Sequence, residues 1–276
     1  MPRVTSLIRH LSAATMSPRA PGSMTPDRMV AHSLVVERAD GITLVDTGFG
    51  TADLAQRRMG KAFIGLMGLD LDPASTALHQ LEALGYKAGD VTDIVVTHLD
   101  LDHAGGLGDF PDAKVHVFSD ELAAARASKA LREKNRYIQA QWAHNPTWVE
   151  HSVEGDSWLG FDSVAAIDED VLLVPTRGHT RGHCAVAVRR PSGGWFLHAG
   201  DAYFNTGEKN TPPTCPSGLT MFQNLVQMDK KARHENADRL RSLHAEHGPG
   251  SGSSEVVTMF CAHDAAEFDA LKDVTN

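Results

Sequence analysis

Four apolar runs of strand length are each followed closely by a histidine or an aspartate. The runs occupy residues 94–97, 171–174, 195–198 and 256–261. Because sites in open α/β sheets gather beyond the carboxyl ends of the strands, this pattern predicts that the polar side chains meet at one edge of the fold. Gly178 directly precedes His179 and Gly200 directly precedes Asp201, and both glycines allow sharp backbone turns. We therefore expect an α/β protein with a polar site at its strand ends.

The first run leads into the most crowded polar segment of the chain. Its side chains include two imidazoles and two carboxylates, from His98, Asp100, Asp102 and His103. Burying such groups without a partner is costly, whereas each of them can bind a divalent cation. The segment therefore predicts a metal site.

The candidate ligands at the strand ends are too many for one tetrahedral ion and suit two ions that share a carboxylate. Two ions about 3.5–4 Å apart can hold a hydroxide between them, lower its pKa and polarise an electrophile. This arrangement favours hydrolysis of a carbonyl or phosphoryl ester. The candidates are His98, Asp100, Asp102, His103, His183, Asp201 and His263.

The charge balance argues against a nucleic-acid partner. The net charge is −9, and the short run Leu131–Arg136 is typical of the solvated face of a helix. No apolar run approaches the length of a membrane span, and Arg9 and His10 interrupt the N-terminal residues, so neither a membrane partner nor a signal peptide is expected. The three cysteines match no zinc knuckle. We expect a cytoplasmic protein that acts on a small molecule, and its oligomeric state is left unpredicted.

Strands and helices are interleaved along the chain, which favours one α/β domain over residues 1–276, with 1–28 as an extended N-terminal segment. Helices are predicted over 54–68, 76–84 and 229–247, and from Ser119 onward. Strands are predicted over 30–36, 42–45, 93–97, 115–118, 171–174, 185–188, 195–198 and 256–261.

Four motifs occur in a characteristic order. They are Thr-His-x-x-x-Asp-His-Ala-Gly-Gly at 97–106, Gly-His-Thr-x-Gly-His at 178–183, Ala-Gly-Asp at 199–201, and a last strand that leads to His263. This order resembles the metallo-β-lactamase superfamily, and most of all its N-acyl-homoserine lactonase branch. The resemblance implies a four-layer αβ/βα sandwich, with helices flanking two mixed β-sheets. It also implies hydrolysis of a lactone or another small carboxylic ester by a metal-bridging hydroxide.

The resemblance further implies a role for each ligand of two divalent ions, which would be zinc, iron or manganese. The second histidine of Gly-His-Thr-x-Gly-His is taken as a ligand, so His183 is preferred and His179 is left to hydrogen-bond within its turn. Asp201 would bridge the ions. The first ion would be held by His98, Asp100 and His183, and the second by Asp102, His103 and His263.

Further residues are assigned to the surroundings of the metals. Asp46 is expected near the site but outside the ligand set, unless its Asp-Thr-Gly turn is purely structural. His198 is assigned either to the core or to a position behind the ligands. Tyr203 is considered for contact with a substrate oxygen, and Asp102 for passing a proton to the leaving alkoxide.

Position 100 departs from the family pattern, because the hydrolases usually place a histidine there. Flavodiiron proteins have a carboxylate at this position, so a di-iron oxidoreductase is one alternative, and a non-catalytic metal-binding protein of the same fold is another. A third carboxylate would make the metal core formally neutral, which favours iron or manganese over zinc. Asp100 has a second interpretation as a group that orients a ligand histidine.

Overall fold

The computed structural model describes residues 5–19, 24–127, 133 and 136–274. Its strands are β1 Thr5–Met16, β2 Met29–Arg38, β3 Gly41–Val45, β4 Val91–Val95, β5 Lys114–Phe118, β6 Thr147–His151, β7 Asp156–Trp158, β8 Phe161–Ala165, β9 Val171–Pro175, β10 Cys184–Arg189, β11 Trp195–His198 and β12 Val257–Phe260. Its α-helices are α1 Thr51–Gln56, α2 Lys61–Met67, α3 Ala77–Ala83, α4 Ser119–Ala127, α5 Ser217–Val226, α6 Lys230–His247 and α7 Ala265–Leu271.

Within the described residues, these strands form two six-stranded sheets. The first has the order β1-β2-β3-β4-β5-β6, with antiparallel pairs from β1 to β3 and parallel pairs from β3 to β6. The second has the order β12-β11-β10-β9-β8-β7, in which β12 is parallel to β11 and the other pairs are antiparallel. Both sheets are therefore mixed.

Apolar side chains of both sheets pack together in the space between them. Leu34, Val36 and Val95 from the first sheet share one buried cluster with Leu173 and Val186 from the second. Because successive residues of a strand face opposite sides, the remaining side chains of these strands point outward. The inner cluster holds the two sheets face to face.

Helices cover the outward faces of the sheets. Leu81 of α3 and Leu122 of α4 pack in one cluster with Ile94 of the first sheet. Leu240 of α6 packs in another cluster with Leu197 of the second sheet. The resulting order of helix, sheet, sheet and helix confirms the expected αβ/βα sandwich.

Every strand predicted from the sequence overlaps a strand of the structure, but β1, β6, β7 and β8 were not predicted. Strand β1 lies within the segment 1–28 and pairs with β2 along one edge of the first sheet. Buried and exposed positions alternate along a strand, and on β1 one buried position is occupied by His10 where an apolar residue is expected. Its Nδ1 lies 2.8 Å from Nε2 of His32, so its polar contact is made inside the fold.

The assignment of the whole chain to one domain stays a prediction.

In the part of the chain that the structure describes, no helix combines the length and the apolar character needed to cross a membrane.

Leu34→Ala should lower the free energy of unfolding by about 2–5 kcal/mol, because it opens a cavity between the sheets. The matched control is Leu66→Ala, since Leu66 is 63% exposed and its truncation should change stability by less than about 0.5 kcal/mol. Urea unfolding followed by circular dichroism measures both. Equal losses for the two variants would contradict a core shared by the sheets.

Candidate metal centre

The segments that follow β4, β9, β11 and β12 converge at one edge of the sandwich. They bring His98, His179, Asp201 and His263 together, and His103 joins them from the same segment as His98. All five side chains are buried. Strands from both sheets therefore contribute to one polar cluster.

Three groups of potential ligand atoms overlap in this cluster, and within each group the atoms lie within 4.8 Å of one another. The groups share His98 and His103, so they form one continuous set. We define their seven residues as the ligand cluster. The groups are His98 with Asp100 and His179, His98 with His103 and Asp201, and Asp102 with His103 and His263.

The Asp201 carboxylate lies at the centre of the ligand cluster. Its Oδ1 is 3.3 Å from Nε2 of His103 and 3.1 Å from Nε2 of His263. Its Oδ2 is 3.3 Å from Nε2 of His179 and 3.8 Å from Nε2 of His98. Burial raises the pKa of Asp201, but the neighbouring His263 and His103 outweigh it and hold the pKa well below its usual range. Nε2 of His263 also lies 3.3 Å from Oδ2, so this imidazole contacts both oxygens. The charged carboxylate is thus surrounded by four imidazoles.

The other two carboxylates lie on opposite sides of Asp201. Asp100 Oδ2 is 2.9 Å from Nε2 of His179 and 3.4 Å from Nε2 of His98. Asp102 Oδ2 is 3.7 Å from Nε2 of His263. Asp100 is therefore directed into the ligand cluster, toward two of its histidines.

The structure exchanges the roles that were predicted for the two histidines of Gly-His-Thr-x-Gly-His. His183 donates from Nδ1 to the carbonyl oxygen of Thr176 at 3.0 Å, and its Nε2 accepts the backbone N–H of Asp201 at 2.9 Å. Both ring nitrogens are thus used by the backbone. The reason is the turn at Gly200, whose φ of +54° brings the chain against this ring, so that a Cβ there would lie 2.6 Å from Nε2. His183 supports the Asp201 turn, and His179 lies in the ligand cluster instead.

The protonation of His179 suits a metal ligand. Burial lowers the pKa of His179 to about 4, although the charges of Asp201 and Asp100 oppose the shift. The imidazole is therefore neutral at physiological pH. A neutral imidazole offers a lone pair, which a metal ion requires.

Several buried atoms of the ligand cluster have no hydrogen-bond partner among the described residues. They include Nε2 of His98, Nε2 of His103 and Oδ1 of Asp201. Leaving such an atom without a partner costs about 1–3 kcal/mol. Imidazole nitrogens and carboxylate oxygens are the usual ligands of zinc, iron and manganese. The unpaired atoms and their chemistry therefore fit divalent metal ions.

Hydrogen bonds behind the ligand cluster orient its histidines. Asp46 Oδ2 lies 2.8 Å from Nδ1 of His103, and Asp46 also accepts the backbone N–H and the hydroxyl of Thr97, both at 2.8 Å. His263 donates from Nδ1 to the carbonyl oxygen of Val30 at 2.8 Å. These contacts turn Nε2 of each histidine toward Asp201. Asp46 is therefore outside the ligand cluster and directly behind it.

A cavity of about 570 Å³ opens above the ligand cluster. Asp100, Asp102, His179, Asp201 and His263 form its polar floor. Its walls are mainly apolar and are supplied by Met16, Met29, Phe63, Met67, Phe204, Phe222, Leu225 and Val226. The cavity thus offers a polar floor beneath apolar walls.

Comparison with known protein families agrees with this geometry. Residues 26–246 match the model of the metallo-β-lactamase superfamily. The chain belongs to the metallo-β-lactamase superfamily.

Individual members of the superfamily are similar along most of their length. The probable metallo-hydrolase Rv2300c of Mycobacterium tuberculosis is 38% identical over 273 residues, which cover 96% of this chain and 83% of the relative. The N-acyl homoserine lactonase AiiB of Agrobacterium fabrum is 25% identical over 255 residues, which cover 86% of this chain and 80% of the relative. One similar solved structure is an N-acyl homoserine lactone hydrolase with the product N-hexanoyl-L-homoserine bound at its catalytic metal centre. It matches with a TM-score of 0.72 and 18% sequence identity, and the match covers 97% of this chain and 96% of the other.

Two other predicted residues of this metallo-β-lactamase superfamily member lie outside the ligand cluster. The Tyr203 hydroxyl donates to Glu267 at 3.1 Å, and the buried side chain is not among the residues that line the cavity, so the structure does not bring it to the site. The next residue, Phe204, reaches the cavity wall instead. His198 accepts the Gly200 N–H at Nδ1 over 3.1 Å and therefore supports the Asp201 turn from behind.

Sequence reasoning missed Glu121. At the start of α4 it looks like an ordinary acidic residue near the positive end of a helix dipole. The structure buries it fully, with Oε1 accepting the N–H of Leu99 and Oε2 the N–H of Gly182, each at 3.0 Å. A Cβ at position 182 would lie 2.1 Å from the Glu121 nitrogen, so this contact requires glycine. Glu121 therefore joins the segment that carries His98 to the segment that carries His179.

Asp46→Asn should weaken metal binding by about tenfold to a hundredfold, because the carboxylate that orients His103 is lost. Competition with a chelator measures the affinity. The matched control is Asp93→Asn, which changes another buried Asp–His pair, 2.9 Å from His116 and outside the ligand cluster. The control should bind metal as the wild type does, and equal weakening in both variants would contradict the role of Asp46.

Proposed function

We propose that this protein is a metal-dependent hydrolase that cleaves a lactone or another small carboxylic ester. The observation that carries the proposal is the position of Asp201, whose carboxylate lies among four buried imidazoles at 3.1–3.8 Å. His98 and His179 contact Oδ2, His103 contacts Oδ1, and His263 contacts both oxygens. This geometry supports two adjacent ions that share one carboxylate. The hydrolase and lactonase relatives support the same class of reaction.

Each ion would have its own ligands on one side of the shared carboxylate. His179 takes the place that the sequence had assigned to His183, because its Nε2 faces the Asp100 and Asp201 carboxylates. Asp201 would be common to both ions. The remaining ligands would be His98, Asp100 and His179 for one ion, and Asp102, His103 and His263 for the other.

The ions would supply activated water and a polarised carbonyl group when bound. The protein's own contribution is to position the substrate and to exclude bulk water. The apolar walls formed by residues such as Phe63 and Phe222 favour a small molecule with an apolar part. Asp102 lines the cavity floor with a 16% exposed side chain. There it can accept the proton that the attacking water gives up and pass it to the alkoxide that leaves when the ester C–O bond breaks.

The choice of metal follows from the donor set. Three carboxylates among the ligands favour harder ions such as Mn²⁺ or Fe²⁺, whereas four imidazoles also suit Zn²⁺. The preference for iron or manganese stays a prediction. A di-iron oxidoreductase and a non-catalytic binding protein are the competing outcomes of the experiments below.

His179→Ala and His183→Ala separate the two histidines with the same substitution. We expect His179→Ala to lose about one of two bound ions, because a ligand is removed. His183→Ala should retain both ions but unfold more easily by about 1–3 kcal/mol, since the Asp201 N–H loses its acceptor. Elemental analysis and urea unfolding measure these effects, and loss of an ion from the His183 variant alone would reverse the assignment.

Turnover of defined substrates tests the proposed reaction. Protein loaded with Mn²⁺, Fe²⁺ or Zn²⁺ should open lactones or cleave small carboxylic esters faster than β-lactams and phosphodiesters. Asp102→Asn should lower kcat by about a hundredfold or more, as expected for a lost proton donor. Metal-loaded protein that oxidises an added electron donor without cleaving any ester would favour the oxidoreductase. Protein that binds metal but turns over neither kind of substrate would favour the non-catalytic metal-binding role.

A further inference from the structure

Arg136 is a buried arginine beside the ligand cluster, although its run of charged residues predicted a solvated helix face. The Arg136 side chain is only 8% exposed, and its Nε lies 3.4 Å from Asp100 Oδ1. That oxygen is on the side of the Asp100 carboxylate opposite His179, which contacts Oδ2. The guanidinium and the ligand cluster therefore contact different oxygens of one carboxylate.

The other nitrogens of Arg136 are held by the backbone. Nη1 donates to the carbonyl oxygen of His179 at 3.0 Å, and Nη2 donates to the carbonyl oxygen of Val226 at 2.6 Å. Both terminal nitrogens of the guanidinium thus have backbone acceptors, and Nε is left facing Asp100 in an ion pair. This fixed position suits a permanent partner of Asp100 better than a group that binds the anionic part of a substrate.

The charge of Asp100 depends on these surroundings. A guanidinium keeps its proton in proteins, and the guanidinium of Arg136 lies buried beside the Asp100 carboxylate. A buried carboxylate that contacts a buried guanidinium forms a pair without net charge. A histidine ligand at this position would also be neutral.

We propose that Arg136 is the counter-charge of Asp100, so that the pair takes the electrostatic place of the neutral histidine that the superfamily usually has at position 100. The net charge around the two ions then equals that of a site with histidine at position 100, although one more carboxylate is present. The charge argument for iron or manganese over zinc is cancelled, and only the hardness of the carboxylate oxygen remains. Arg136 is a positioning residue, since it acts on the ions through Asp100.

This inference rests on the metal site of the proposed function, and metal affinity tests it without any substrate. The variants are Asp100→His, Arg136→Met and the double variant, each compared with wild type by competition of Zn²⁺ and Mn²⁺ with a chelator. Arg136→Met keeps an apolar stem in the buried space. Arg136→Lys keeps the charge, and Arg126→Met is the control, because Arg126 pairs with Glu150 at the surface. Circular dichroism of each metal-free variant verifies folding.

We expect opposite changes in the two single variants. Asp100→His should bind Zn²⁺ about tenfold or more weakly, because the guanidinium has lost its partner beside a cation site. Arg136→Met should bind Zn²⁺ more tightly than wild type, and the double variant should return to within about threefold of wild type. Arg136→Lys and Arg126→Met should stay close to wild type.

Several results would overturn the proposal. If Arg136 only held the carbonyl groups of His179 and Val226, Arg136→Met would weaken metal binding in both backgrounds. Zinc affinity of Asp100→His equal to that of wild type would show that no counter-charge is needed. The measurement follows metal binding alone. If the protein binds both ions but cleaves no ester, the proposed function is wrong, and the role of Arg136 can still be tested by metal affinity.

Discussion

The buried carboxylate of Asp201 is the constraint on which the rest of the structure depends. A charge in the interior is stable only when opposite charges or donors surround it, and here four imidazoles lie within 4 Å of its oxygens. Those imidazoles come from segments after strands of both sheets. The apolar cluster between the sheets, with Leu34 and Val186 fully buried, keeps these strand ends in register, although it takes no part in the chemistry.

Much of this arrangement could be predicted from the sequence because its signals are local. Apolar runs ending at histidine or aspartate predicted the strands that carry the site and the edge at which they meet. The roles of His179, His183 and Tyr203 could not be predicted in the same way. They depend on the path of the chain through Gly200 and just after it. At Gly200 the backbone lies against the ring of His183, so that the Asp201 N–H occupies its Nε2 and the carboxylate is left to His179.

Charged residues were the second source of error, because their burial is set by distant parts of the chain. Arg136 and Glu121 look like surface charges in their own helical segments. Arg136 is buried by Asp100 and the end of α5, and Glu121 by backbone groups at Leu99 and Gly182. The same reason explains why β1 was missed, since its buried His10 interrupts the apolar alternation and is satisfied by another strand.

Part of the cavity wall has a different origin from the floor. The floor comes from strand ends that the two-sheet core holds in place, whereas Phe63, Met67, Phe222 and Leu225 belong to the short helices α2 and α5, which lie outside both sheets. Leu225 is 69% exposed, so part of this wall contributes little to folding stability. Substitutions in these two helices can therefore change the shape of the cavity while the core that holds its floor stays intact.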